Sequence, residues 1–151
     1  MEFTKQEDYT EDLETLKVFA ERFEQIYSEK LGLTVFSDFA TQNYLGHGAN
    51  KIFEIAKPKN FVENNYFKNV HRSMLWLYSE INPNGITDST DIARTYTIHF
   101  EVGCQHRKKY ARYWYDHTLI KFHGYGRTID EILKRFEAFI NSENFVSLYL
   151  K

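Results

Sequence analysis

The sequence predicts an α+β fold: an antiparallel sheet built on a long hairpin at about residues 93–123, with N-terminal, middle and C-terminal helices packed on one face. Three observations point there. Two strand-like runs, Thr95–Val102 and Tyr113–Phe122, flank a polar turn at Gln105–Lys109. A three-and-four spacing of apolar residues marks a helix after Thr10. Thr128-Ile129-Asp130-Glu131 has the Thr-x-x-Glu form of a capping box, followed by the apolar stripe Ile129, Ile132, Leu133, Phe136, Phe139 and Ile140.

In chain order, Leu13, Leu16, Phe19, Ala20, Phe23, Ile26 and Tyr27 form the face of the first helix, with Thr10 as its cap and Gly32 as its stop. Residues 1–30 carry nine acids against four bases, which reads as a solvated helix surface. Leu33–Phe36 and Ile52–Ile55 read as short strands. Between them Gly46-His47-Gly48, with Lys51 close by, offers a weak anion nest that lacks the ending of a phosphate loop. A second helical spacing follows Pro58 (Phe61, Phe67, Val70, Met74, Leu77, Tyr78, Ile81). It is apolar over more than half its circumference, as a centrally placed element would be, and ends at Asn82-Pro83-Asn84-Gly85. Gly124-Tyr125-Gly126 is expected to break the second long strand, and Phe145–Leu150 to form a last edge strand.

The 151 residues suit one domain spanning 1–151, with enough chain to bury a core without disulfides. The lone Cys104 excludes a disulfide framework and a multi-cysteine metal site, and fits a reducing cytoplasm. No apolar run is long enough to span a membrane and the N-terminus is not a signal peptide, so a soluble cytoplasmic protein without membrane contact is expected. Serine-hydrolase elbows, His-Glu-x-x-His and the dinucleotide fingerprint are absent, and no cofactor is implied.

Two constellations carry the functional expectations. Arg107, Lys108, Lys109, Arg112, Tyr113, Trp114 and Tyr115 interleave cations with aromatic rings, and residues 104–127 hold six bases and one acid. Such a surface suits docking of a charge-complementary protein, or RNA and single-stranded nucleic acid through phosphate pairing and base stacking. The second constellation, His99, Glu101 and His117, shares the polar face of the hairpin. With the turn centred near Lys108, His99 stands across from His117, and the three suit an acid–base or metal-dependent hydrolase.

The reading that follows is a small non-enzymatic binding or regulatory protein acting on a macromolecular partner, foremost a protein. Nucleic-acid binding is the alternative and a small hydrolase the second one. Self-association is expected to run between the acidic first helix and the basic hairpin. The Lys-, Asn-, Tyr- and Phe-rich composition suggests an AT-rich source such as a phage or mobile element.

Overall fold

Leu75, at the middle of the sheet, has Phe53 beside it on one neighbouring strand and Phe100 on the other, with Phe122 one strand further on. That row of four apolar side chains defines the inner face. The computed structural model describes residues 5–40, 48–81 and 94–150. In them α1 (Lys5–Leu31) precedes five strands, β1 (Thr34–Ala40), β2 (Ala49–Glu54), β3 (Phe67–Ile81), β4 (Arg94–His106) and β5 (Tyr115–Gly126), and then α2 (Ile129–Ile140) and α3 (Glu143–Tyr149). The sheet is an antiparallel meander in the order β1-β2-β3-β4-β5.

The fold class is therefore α+β, and the helices lie on the inner face. Phe19 of α1 meets Tyr96 edge-on at 5.4 Å, and Thr15 shares a hydrogen bond with Ser79 at 2.7 Å. Phe136 and Phe139 of α2 and Phe145 and Tyr149 of α3 all surround the Phe100 ring. Phe23, Tyr27 and Phe136 join α1 to α2 in one aromatic cluster. Burial of such rings removes large apolar areas from water and is the main driving force for the assembly.

Several local features follow the sequence. Gly32 adopts φ 61° and ends α1, a conformation that costs other residues a steric clash. Thr128 Oγ1 accepts from the Glu131 amide at 3.1 Å, while the Glu131 carboxylate accepts from the Arg127 amide, so the box closes one residue further out than its usual form.

Four expectations need correction. The middle helix is the strand β3. As the central strand it carries apolar residues on both faces, Leu75 and Leu77 inward and Met74, Trp76 and Tyr78 outward, and this two-sided pattern imitates a helical spacing. The phase is disturbed further at Asn69, whose φ is 52° where the pairing with β4 slips between Lys68 and Arg72. The proposed edge strand at 145–150 is α3, capped by Ser142, with Phe145 and Tyr149 one helical turn apart and stacked at 4.7 Å.

Gly124-Tyr125-Gly126 does not break β5. A Cβ at Gly124 would stand 2.6 Å from the Phe122 ring, and one at Gly126 would stand 2.8 Å from the Ile132 amide, so both glycines serve close approach. Finally, α1 begins at Lys5, and Thr10 lies within it. The tripeptide Gly46-His47-Gly48 and the turn at 82–85 fall wholly or mostly outside the described residues. Lys51 is buried against the Phe39 and Phe53 rings and pairs with Glu24 at 3.6 Å, so its ammonium is already engaged.

Candidate functional site

The outer face of the sheet carries no helix among the described residues, and it gathers the ionisable side chains of β3, β4 and β5. Cross-strand pairing sets Ile52, Trp76, His99 and His123 in one row and Glu54, Met74, Glu101 and Lys121 in the next. His99 therefore faces His123. His117, expected opposite His99, pairs with Cys104 at the other end of the strand.

That pairing follows from the turn, which centres between residues 110 and 111, where His106 faces Tyr115, and not near Lys108; the face that His117 takes follows from a bulge. Val102 pairs with Ile120 but Gly103 pairs with Thr118, leaving Leu119 as the extra residue in β5. One extra residue exchanges the two faces of everything beyond it. His117 and Tyr115 thereby turn to the side of His106 and Phe67, where the His117 ring lies 5.1 Å from His106 and 5.2 Å from Phe67. Asp116, an intruder on the apolar side in an unbroken strand, turns to the outer face.

There it accepts from His71 Nε2 at 2.8 Å and lies 3.9 Å from Arg72. Arg72 also pairs with Glu101, Nε to Oε2, at 3.0 Å, and its guanidinium crosses Gly103 where any side chain would collide with it. Glu101 stands 4.0 Å from His99 Nε2, and His99 Nδ1 is 2.9 Å from His123 Nδ1. Trp76 packs edge-on against the His99 ring at 4.9 Å.

The result is a continuous chain of charged and protonatable groups, Asp116, Arg72, Glu101, His99 and His123, across three strands. Burial pushes the His99 pKa below the ordinary imidazole value, His123 and Lys121 push it the same way, and Glu101 opposes them. His99 is thus biased to its neutral form. Its Nδ1 and that of His123 share the space of a single N–H.

The predicted trio of His99, Glu101 and His117 does not converge. Among the described residues no three His, Cys, Asp or Glu groups are placed to hold a metal ion. An open depression of about 320 Å³ lies beside the chain, lined by Glu54, Lys57, His71, Arg72 and Met74 among others, and His99 is not in its wall. Sequence reasoning missed His123, His71, Arg72 and Asp116 as members of this cluster. Alternation along the strand did put His123 on the right face, but the register that joins it to His99 is set by strand length and by the bulge.

The basic hairpin end is built separately, from the chain between β4 and β5. Ala111 N–H donates to the Lys108 carbonyl at 2.9 Å, closing a turn in which Tyr110 takes φ 68°. Tyr110 is 91% exposed and Tyr113 78%, and Lys108, Lys109 and Arg112 are exposed beside them. Trp114 differs, because Lys68 Nζ lies over its ring at 4.1 Å and the Arg107 guanidinium at 4.8 Å. Tyr115 is half-exposed and edge-on to His106 at 5.2 Å. The structure thus divides the expected set: Lys108, Lys109, Arg112 and Tyr113 are exposed to solvent, joined by Tyr110 with the Lys109 ammonium 5.1 Å over its ring, while Arg107 and Trp114 are packed into the support beneath and Tyr115 keeps 42% exposure beside His106.

No helix among the described residues is long and apolar enough to cross a membrane. No protein-family model, curated protein or solved structure matches the chain, so the functional reading rests on these surfaces alone.

Proposed function

We propose that the protein acts without catalysis, by docking the basic, tyrosine-bearing end of its sheet onto an acidic surface of a protein partner. The observation that carries this reading is the exposure of Tyr110 and Tyr113 among Lys108, Lys109 and Arg112. Tyrosine supplies a large, stiff contact area with a polar tip, and with arginine it is enriched where proteins meet. The left-handed backbone of Tyr110 supports it further. A non-glycine residue held there costs on the order of 1 kcal/mol, and such strain concentrates at functional positions.

A protein fits better than a nucleic acid. Trp114, the largest ring for stacking an unpaired base, already carries two cations over its ring. A second copy fits less well, because Glu11 and Asp12 of the acidic helix pair with Arg94, and Glu24 pairs with Lys51. A regulatory protein of the cytoplasm, of the kind encoded by a phage or mobile element, would work in this way.

The test is affinity capture of tagged protein from host lysate, with and without nuclease, beside a Lys108→Glu, Lys109→Glu, Arg112→Glu triple variant. A partner that survives nuclease and is lost with the triple variant, while its circular dichroism is unchanged, is the expected result. Equal capture by the variant overturns the proposal. Loss of every partner on nuclease treatment transfers the surface to nucleic acid.

A further inference from the structure

We infer that His99 and His123 form a two-imidazole chelating site for a divalent transition metal of tetragonal preference, copper(II) foremost. The geometry comes first. The two Nδ1 atoms are 2.9 Å apart on adjacent strands. Two metal–nitrogen bonds of about 2.0–2.1 Å span about 2.9 Å when they meet at a right angle and about 3.3 Å at the tetrahedral angle. The observed spacing, which is also that of the N–H···N bond the two rings make without a metal, fits neighbouring corners of a square-planar or octahedral ion, the geometry that copper(II) and nickel(II) take. Copper(II) also heads the affinity order for nitrogen ligands.

The surroundings act in the same direction. Glu101 stands at 4.0 Å from His99 Nε2 and is itself held by Arg72 at 3.0 Å. At 4.0 Å the carboxylate makes no hydrogen bond, and it favours a proton on Nε2 through its charge alone, which leaves the Nδ1 lone pair for an ion. Trp76 fixes the His99 ring from the side. Lys121, on the same face, opposes a cation, but it is exposed and its four-carbon stem lets the ammonium move away. With two protein ligands, the remaining positions face outward from a sheet surface that carries no helix among the described residues, and they are open to water. This site shares no residue with the hairpin end, so either inference can fail alone.

The experiment titrates copper(II), and separately zinc(II), into the full chain against glycine as competitor, in a Trp114→Phe background so that Trp76 is the fluorophore. One equivalent of copper(II) is expected to quench Trp76 and to give an electron paramagnetic resonance spectrum with two equatorial nitrogens. Zinc(II) should bind more weakly. His123→Ala and His99→Asn should each lower copper affinity at least about 10-fold and leave one imidazole nitrogen at most. Glu101→Gln should lower it less than either histidine variant does, with both nitrogens retained, because its carboxylate acts on His99 through charge alone. His71→Ala should change nothing. Undiminished binding in His123→Ala, a one-nitrogen spectrum in the parent protein, or no copper retained against glycine would each overturn the inference. Because His123 is exposed at the sheet edge, its variant separates loss of the site from loss of the fold.

Discussion

Gly103 is where a single absent side chain has the widest effect. An added Cβ would lie 2.5 Å from Arg72 Nη2 and 2.7 Å from Cζ, so Gly103→Ala must lift the guanidinium away from Glu101 and Asp116. A loss of about 1–2 kcal/mol is expected in urea unfolding, and in an Arg72→Ala background the same change should cost much less. Titration gives two further tests. His99 has a folded pKa below its ordinary 6.5, so its contribution is intact above that value and declines as pH falls through it toward the lower folded value. The unfolding midpoint of His99→Asn should therefore fall less than that of the parent between pH 7.5 and 5. Tyr149 behaves oppositely. Burial pushes its phenol up to about 12 from 10, so stability present below pH 10 is lost as pH rises toward 12, by about 2–3 kcal/mol. Tyr27, raised by burial and by its bond to Glu137, adds to the same loss. Tyr149→Phe should flatten its share of that alkaline decline.

At the scale of elements, α2 is the piece whose sequence and structure agree most closely. Its cap, its acidic first turn and its buried Ile132, Leu133, Phe136 and Ile140 were all readable, because a helix states its start and its face within a few residues. Phe136 touches rings from α1, β4, β5 and its own helix, so Phe136→Ala should cost about 4 kcal/mol, read as a lower urea midpoint with an unchanged slope. Thr128→Ala removes one capping bond and should cost about 1 kcal/mol. β3 was misread for the opposite reason. Its period-two signal holds only where one face is apolar and the other polar, and a strand in the middle of a five-stranded sheet loses that contrast. The sense that this segment was central was sound, and only its backbone conformation was not. β5 differs from its expectation at both ends, Tyr115 and Gly126 against Tyr113 and Phe122, and in its faces at a single residue. The bulge at Leu119 leaves no mark in composition, yet it decides that Asp116 joins the polar chain and His117 leaves it.

Across the whole molecule, the sheet is attached to α1 partly by polar contacts near one end. Arg94 pairs with Asp12, which is 3% exposed, and donates to Ser79 Oγ at 3.0 Å, and Ser79 in turn meets Thr15. Removing the cation from so buried a carboxylate should cost about 3 kcal/mol in Arg94→Ala. Arg94→Lys should recover part of it, keeping the charge without the planar fork. The acids of α1, read from sequence as solvated, are thus in part structural, Asp12 with Arg94 and Glu24 with Lys51, and the α1 base Arg22 reaches Asp130 at 2.5 Å and so joins α1 to α2. The sequence by itself determined the α+β class, the stop of α1 at Gly32, the start of α2 at Thr128, the hairpin and its basic, tyrosine-rich turn, since each depends on spacing and composition within one short stretch. The tertiary structure alone decided which strands neighbour one another, that His99 meets His123, and which cations of the hairpin remain free. Those outcomes depend on register across strands distant in the chain, where one extra residue exchanges the faces of a strand and no local pattern records it.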